Sequence, residues 1–180
     1  TVPFVYNCGG YENPDVIRLL DGMVDIYLPD FKYGLEEDGR LFSDAAQYPK
    51  YAMASIQEMV RQVGDDLKLN NGVAVSGIII RHLVLPGRLE NSMAVLKLLK
   101  EQLSTNVPVS LMSQYTPISA VKSHPLLGRR ITRKEYKHIL DYAINLGFEN
   151  LFIQQVSDNA MNPDFDSKTP FEKSVDPDKK

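Results

Sequence analysis

The sequence is poor in the residues that announce a chemistry. It has one cysteine, Cys8, and no tryptophan among 180 residues. A single thiol excludes a disulfide framework within the chain and any cluster held by several of its own cysteines. Such sparse cysteine points to a reducing, cytoplasmic setting. No run of about 18 apolar residues occurs, so the sequence offers no candidate membrane-spanning helix. Neither sign of charge dominates: Lys plus Arg is 20, Asp plus Glu is 23, and the net charge is −3. A weakly acidic chain has no overall electrostatic attraction to nucleic acid or anionic lipid. The glycine-rich phosphate signatures GxGxxG and GxxxxGKS are missing, and Gly9-Gly10 alone is too weak a signal. His124 and His138 have no partner at metal-ligand spacing.

What is present is globular. Hydrophobic residues make up 43% and charged residues 24%, near the average for folded domains and against extended disorder. The length suits one domain. The chain opens on Thr1-Val2-Pro3-Phe4-Val5-Tyr6, directly in a strand-like run without an initiator Met. That start leads us to expect that an N-terminal part lies upstream.

Strand and helix patterns alternate. Residues 2–6 read as a strand. Asn13 and Pro14 cap and open a helix that Asp21-Gly22 ends. Residues 24–28 form a second strand, followed by a loop over 34–48. Pro49 opens a helix whose apolar face is Ala52, Ile56, Met59, Val60 and Val63, closed by Gly64. A polar linker over 68–72 precedes a third strand over 76–85. A helix over 92–103 leads to a fourth strand over 107–112. Thr132 and Glu135 form a capping box for a helix with the stripe Tyr136, Ile139, Leu140 and Ala143, and Gly147 caps its end. A fifth strand over 151–153 follows. The expected unit therefore covers residues 1–156, with five strands and four helices, and a polar tail covers 157–180. Alternation of this kind implies an α/β fold with parallel pairing through right-handed crossovers. The nearly continuous apolar strands fit a sheet covered on both faces. An open doubly wound sheet and part of a (β/α) barrel both fit. In either, chemistry collects at the carboxyl ends of the strands.

Those ends present Asn7 and Cys8, Asp30 and Lys32, Arg81 and His82, Gln114, and Gln154 with Gln155. Arg81-His82 is the most informative pair, because it interrupts an apolar strand. A buried guanidinium needs an anion or a wet cavity. Alternation sends Arg81 and His82 to opposite faces, one toward the site and one toward the helices. A structural carboxylate such as Asp25 or Asp30 is the bland partner for Arg81. Asp30 and Lys32 share one side of an extended segment, suited to a cation or hydroxyl and to an anion; they also read as a turn carboxylate and a solvated lysine. A buried Lys32 would suit a Schiff base. Cys8 offers a thiol, but a lone cysteine at a strand end is usually a small buried hydrophobe. Arg129-Arg130 reads as a solvated basic pair or as a site for an acidic partner or phosphate.

Four segments carry a resemblance: Tyr6-Asn7-Cys8-Gly9-Gly10-Tyr11, Leu28-Pro29-Asp30-Phe31-Lys32-Tyr33, Arg81-His82-Leu83-Val84-Leu85-Pro86-Gly87 and Leu111-Met112-Ser113-Gln114-Tyr115. In sequence and order they resemble the radical S-adenosylmethionine (SAM) proteins related to the pyruvate formate-lyase activating enzyme. That resemblance implies the C-terminal part of a parallel (β/α) partial TIM barrel. It implies an oxidoreductase that cleaves SAM reductively to a 5′-deoxyadenosyl radical, and a glycyl-radical-type partner enzyme. The family's CxxxCxxC loop, which holds a [4Fe-4S] iron-sulfur cluster, and its Gly-Gly-Glu motif are not in this sequence, so cluster ligands would lie outside this chain and the chain alone would be inactive. By the same resemblance Asn7 and Asp30 lie near the methionine end of SAM, with Lys32 beside them. Asn7 replaces an acidic residue of the activating enzyme. Arg81 meets the carboxylate or ribose region, and Gln114 replaces a histidine. Two rival readings are an aldolase-like enzyme using Lys32 and a non-enzymatic barrel remnant that binds a partner protein. The open apolar edge of the first strand leads us to expect self-association.

Overall fold

A computed structural model describes residues 2–156. The elements are β1 (Val5–Cys8), α1 (Pro14–Arg18), β2 (Ile26–Pro29), α2 (Glu36–Ser43), α3 (Tyr48–Val63), β3 (Leu67–Asn70), β4 (Val73–Ile78), β5 (Ile80–Leu83), α4 (Leu89–Gln102), β6 (Val109–Met112), a 3-10 turn (Ser119–Val121), α5 (Arg133–Leu146) and β7 (Leu151–Ile153). The strands form two hydrogen-bonded groups, β1-β2-β4-β3 and β5-β6-β7. All pairs are parallel except the β3–β4 hairpin. A parallel bridge between Asp30 and Arg81 links the groups just beyond β2. The parallel strands thus lie side by side in chain order: β1, β2, β4 continued by β5, β6, β7. They do not close into a barrel.

The two faces of this sheet differ. Along β5 and β6, Ile80, His82, Val109 and Leu111 are buried, while Arg81, Leu83, Ser110 and Met112 are only partly so. The buried set joins the core made by Val95, Leu96 and Leu99 of α4 and Tyr136, Ile139 and Ala143 of α5. The other face is not covered in the same way: Val5 is 45% and Phe152 48% exposed. Coverage of both faces, expected from the apolar strands, is therefore complete on the helical side and only partial on the other, where Ile26 is buried but its neighbour Val5 is not.

The capping signals are realised. Thr132 Oγ1 accepts from the Glu135 N–H at 3.2 Å, and Glu135 Oε2 accepts from the Thr132 N–H at 2.9 Å. Asn13 Oδ1 accepts from the Asp15 N–H at 2.9 Å and opens α1. Four expectations need correction. The first strand is Val5–Cys8 rather than 2–6, because its register is set by β2, with Val5 opposite Ile26 and Cys8 opposite Pro29. The single strand expected over 76–85 is two segments. Its hydrogen bonds change partner midway: the Ile79 N–H donates to Tyr27 O, and the Ile80 N–H donates to Pro108 O on the other side. The linker over 68–72 is the β3–β4 hairpin, turned by Asn71 and Gly72 at positive φ. The loop over 34–48 contains α2. Its acidic first turn suits the helix dipole, and its buried Asp38 pairs with Arg88, fifty positions away. With these the described residues hold seven strands and five α-helices rather than five and four. No helix among the described residues is long and apolar enough to cross a membrane. The tail expected over 157–180 lies outside the described residues.

Candidate functional site

The carboxyl ends of β2, β5 and β6 open onto a pocket of about 250 Å³. Asp30, Lys32, Arg81 and Gln114 supply its polar wall; Tyr33, Leu83, Leu85 and Met112 supply its apolar wall. The alternation of strand side chains explains the grouping, since Arg81, Leu83 and Leu85 share one parity, as do Met112 and Gln114. Four of the five candidate residues meet here. Asn7 does not line the pocket: it lies exposed on β1, beside Leu28.

Arg81 Nη2 lies 2.6 Å from Asp30 Oδ1, with the two side chains 26% and 21% exposed. The contact is an ion pair without an aligned hydrogen bond, and Arg81 Nε is buried with no partner among the described residues. Lys32 Nζ lies 3.9 Å from Asp30 Oδ2 and is 48% exposed. Two cations thus face one carboxylate, leaving positive charge and unused donors toward the cavity. Arg81 thus meets Asp30, one of the two carboxylates named as its bland partner, and also lines the pocket.

The main chain that carries Asp30 and Lys32 is held at many points. Gly10 sits at φ +79, where a Cβ would lie 1.8 Å from Asp30 O, so this close approach admits only glycine. The Asp30 N–H donates to Cys8 O at 3.0 Å, and the Phe31 N–H to Arg81 O at 2.8 Å. The Lys32 N–H donates to the Tyr48 hydroxyl at 2.9 Å. Asn91, fully buried, donates from Nδ2 to Lys32 O at 3.0 Å and accepts on Oδ1 from the Gly34 N–H at 2.8 Å.

His82 faces the helices, opposite Arg81. Its Nδ1 lies 2.7 Å from Phe31 O and its Nε2 2.8 Å from Ser92 Oγ. Burial pulls its pKa down to about 4, so the ring is neutral near pH 7. Gln114 is exposed and accepts on Oε1 from Gln154 Nε2 at 3.4 Å. Gln154 in turn accepts from the Ser113 N–H at 2.9 Å. Cys8 is no activated thiol: burial, then the nearby Glu12 carboxylate, push its pKa up to about 12. Arg129 pairs with Glu135 at 2.7 Å. That guanidinium, foremost, pulls the Glu135 carboxyl down to about 2. His124 Nδ1 accepts from the Leu127 N–H at 3.0 Å and shapes its own loop. No group of three or more His, Cys, Asp or Glu among the described residues is placed to hold a metal ion.

The sequence reading did not single out Tyr33, Leu83, Leu85 and Met112. Counting by twos from Arg81 and back from Gln114 reaches three of them. Asn91, Ser92 and Tyr48 carry no such signal: the partners of Asn91 and Tyr48 are main-chain atoms of a distant loop, and that of Ser92 is the His82 ring.

No protein-family model matches the chain, and no solved structure matches it. It is similar to an uncharacterized protein of Methanocaldococcus jannaschii, MJ0674, 31% identical over 144 residues, a match covering 79% of this chain. The matched region is 38% of that protein's length, so the chain spans well under half of the curated relative it matches.

Proposed function

We propose that this chain forms part of the SAM and substrate cavity of a radical SAM enzyme of the activating-enzyme-like kind, as the C-terminal portion of a partial (β/α) barrel. One observation carries the reading: Asp30, Lys32, Arg81 and Gln114, contributed by three parallel strand ends, line one pocket. SAM carries an ammonium and a carboxylate on one carbon. A carboxylate facing two cations complements that pair, with charge-assisted bonds on both sides. The Gln114 amide both donates and accepts, which suits hydroxyl groups. Leu83, Leu85 and Met112 supply the apolar wall that small-molecule pockets usually have. Parallel strands in chain order with one helix-covered face support the barrel portion.

The [4Fe-4S] cluster does not fit this chain, which has one cysteine. Its thiol is held protonated, and the cluster's ligands lie outside these 180 residues in this reading. The activity proposed for the whole polypeptide is reductive cleavage of SAM to a 5′-deoxyadenosyl radical for hydrogen abstraction, from a glycine of a partner enzyme among other substrates. A cytoplasmic location goes with it. The aldolase-like alternative draws less support, because the half-exposed Lys32 lacks the burial a Schiff-base lysine requires.

Calorimetry of SAM on this chain tests the pocket. Arg81→Ala should weaken binding by about 1.5–3 kcal/mol, the scale of hydrogen bonds to charged groups. Equal affinity in both proteins rejects the assignment. The whole polypeptide, reconstituted anaerobically and reduced, should release 5′-deoxyadenosine, whereas this chain should stay colourless and inactive.

A further inference from the structure

We propose that His82 is a positioning residue: its Nδ1–H holds the main chain at Phe31 and so sets the Asp30 carboxylate and the Lys32 ammonium in the pocket. This rests on the reading of that pocket as the binding site.

Adjacent residues of one strand grip adjacent residues of the next segment from both faces of the sheet. On the pocket face, Arg81 Nη2 meets Asp30 Oδ1 at 2.6 Å. Within the sheet, Arg81 O accepts from the Phe31 N–H at 2.8 Å. On the helical face, His82 Nδ1 reaches Phe31 O at 2.7 Å. A carbonyl oxygen only accepts, so Nδ1 carries the proton. Nε2 then has a lone pair and accepts from the Ser92 hydroxyl at 2.8 Å. That second bond fixes the tautomer and the ring plane. Ser92 follows Asn91 in the first turn of α4, and Asn91 takes Lys32 O and the Gly34 N–H. One strand and one helical turn therefore fix Phe31, Lys32 and Gly34 in sequence. Both ring nitrogens of His82 are occupied, and the ring is fully buried, so it meets no ligand itself. Its effect on binding passes through the loop.

The two bonds can be separated by substitution. Asparagine carries its amide nitrogen near the place of Nδ1 and keeps the bond to Phe31. Glutamine reaches toward Ser92 and loses it. Leucine loses both. With S-adenosylhomocysteine as the probe in calorimetry, His82→Gln and His82→Leu should bind about tenfold or more weakly, the loss expected for one misplaced charged contact. His82→Asn should stay within about threefold of the parent. All three variants should lose stability, because each removes at least one bond of a buried ring, so a merely structural role predicts affinities that follow stability instead. Equal affinity of the Asn and Gln variants overturns the proposal. If the parent protein does not bind the probe, the pocket reading fails, and positioning is judged without ligand. Amide exchange at Lys32 and Gly34 should then quicken in His82→Gln and stay slow in His82→Asn; equal rates overturn it. Should every variant fail to fold, imidazole ¹⁵N shifts of the unaltered protein decide. A proton on Nδ1 supports the proposal and a proton on Nε2 rejects it.

Discussion

Acidification should weaken this fold well before its carboxylates are protonated, and His82 is the reason. Desolvation, opposed in part by the Phe31 carbonyl, pulls the imidazole down to about 4 from its ordinary 6.5. In the unfolded chain the ring takes up its proton near the ordinary value. Between those two values the unfolded state binds more protons than the folded state, so stability rises with pH and is lost as pH falls. The contribution is complete above the unfolded value. Moving from about pH 7 to pH 5 removes about 2 kcal/mol, and the whole gap is worth about 3 kcal/mol. Glu135 does not confuse this window. Its carboxyl, held at about 2 by Arg129 above all, gives stability that is lost only as pH falls from the ordinary glutamate range toward that value. Urea unfolding at several pH values, on the parent and on His82→Asn, isolates the effect, because asparagine does not titrate. The parent's stability should fall by about 2 kcal/mol more than the variant's between pH 7 and pH 5. Parallel pH dependences would refute the argument and would mean that the ring is protonated within the fold.

Gly10→Ala should cost more than about 1 kcal/mol, because it combines positive φ with a collision against the Asp30 main chain; urea unfolding checks it. Arg88→Met should cost roughly 3–5 kcal/mol by stranding the buried Asp38 carboxylate, and much of that should return in the Asp38→Leu/Arg88→Met double variant. Cys8, pushed up to about 12, should resist alkylation by iodoacetamide near pH 8 while the chain is folded and react readily in urea, as thiol counting by mass spectrometry will show. The outer edge of β1, flanked by Val2 and Phe4 at 93% and 58% exposure, should drive self-association in light scattering at high concentration. A monomer under those conditions would count against strand pairing there.

What could be read from the sequence was local. The capping box at Thr132 and Glu135, the Asn13-Pro14 start and the Gly64 stop each depend on neighbours within one turn, and each has its expected place. The opposite orientation of Arg81 and His82 follows from strand geometry alone. The pocket was partly legible for the same reason: Asp30, Lys32, Arg81 and Gln114 all follow or occupy apolar runs. Features that depend on distant partners were not legible. Gly39 weakens the local helical signal of α2, and what secures the helix is an arginine fifty positions away. The break at Ile79 has no mark in its apolar surroundings, because it is a change of hydrogen-bonding neighbour. Asn7 stands at a strand end like the others, but its strand lies at the edge of the sheet. The hairpin is a different case, since Asn71-Gly72 between Leu67-Lys68-Leu69 and Val73-Ala74-Val75 is a strong turn signal. The polar residues around it concealed a local feature that was open to reading.

That hairpin also gives the molecule a place to be handled. Its turn sits at the amino end of β4, nine residues before Arg81, which at strand spacing is about 25–30 Å from the pocket. Nothing lies within 4 Å of the position a Gly72 side chain would occupy. Loop entropy grows slowly with added length, so an inserted affinity peptide or fluorophore loop would lengthen the turn at small cost. It would leave the loops that shape the cavity unaltered.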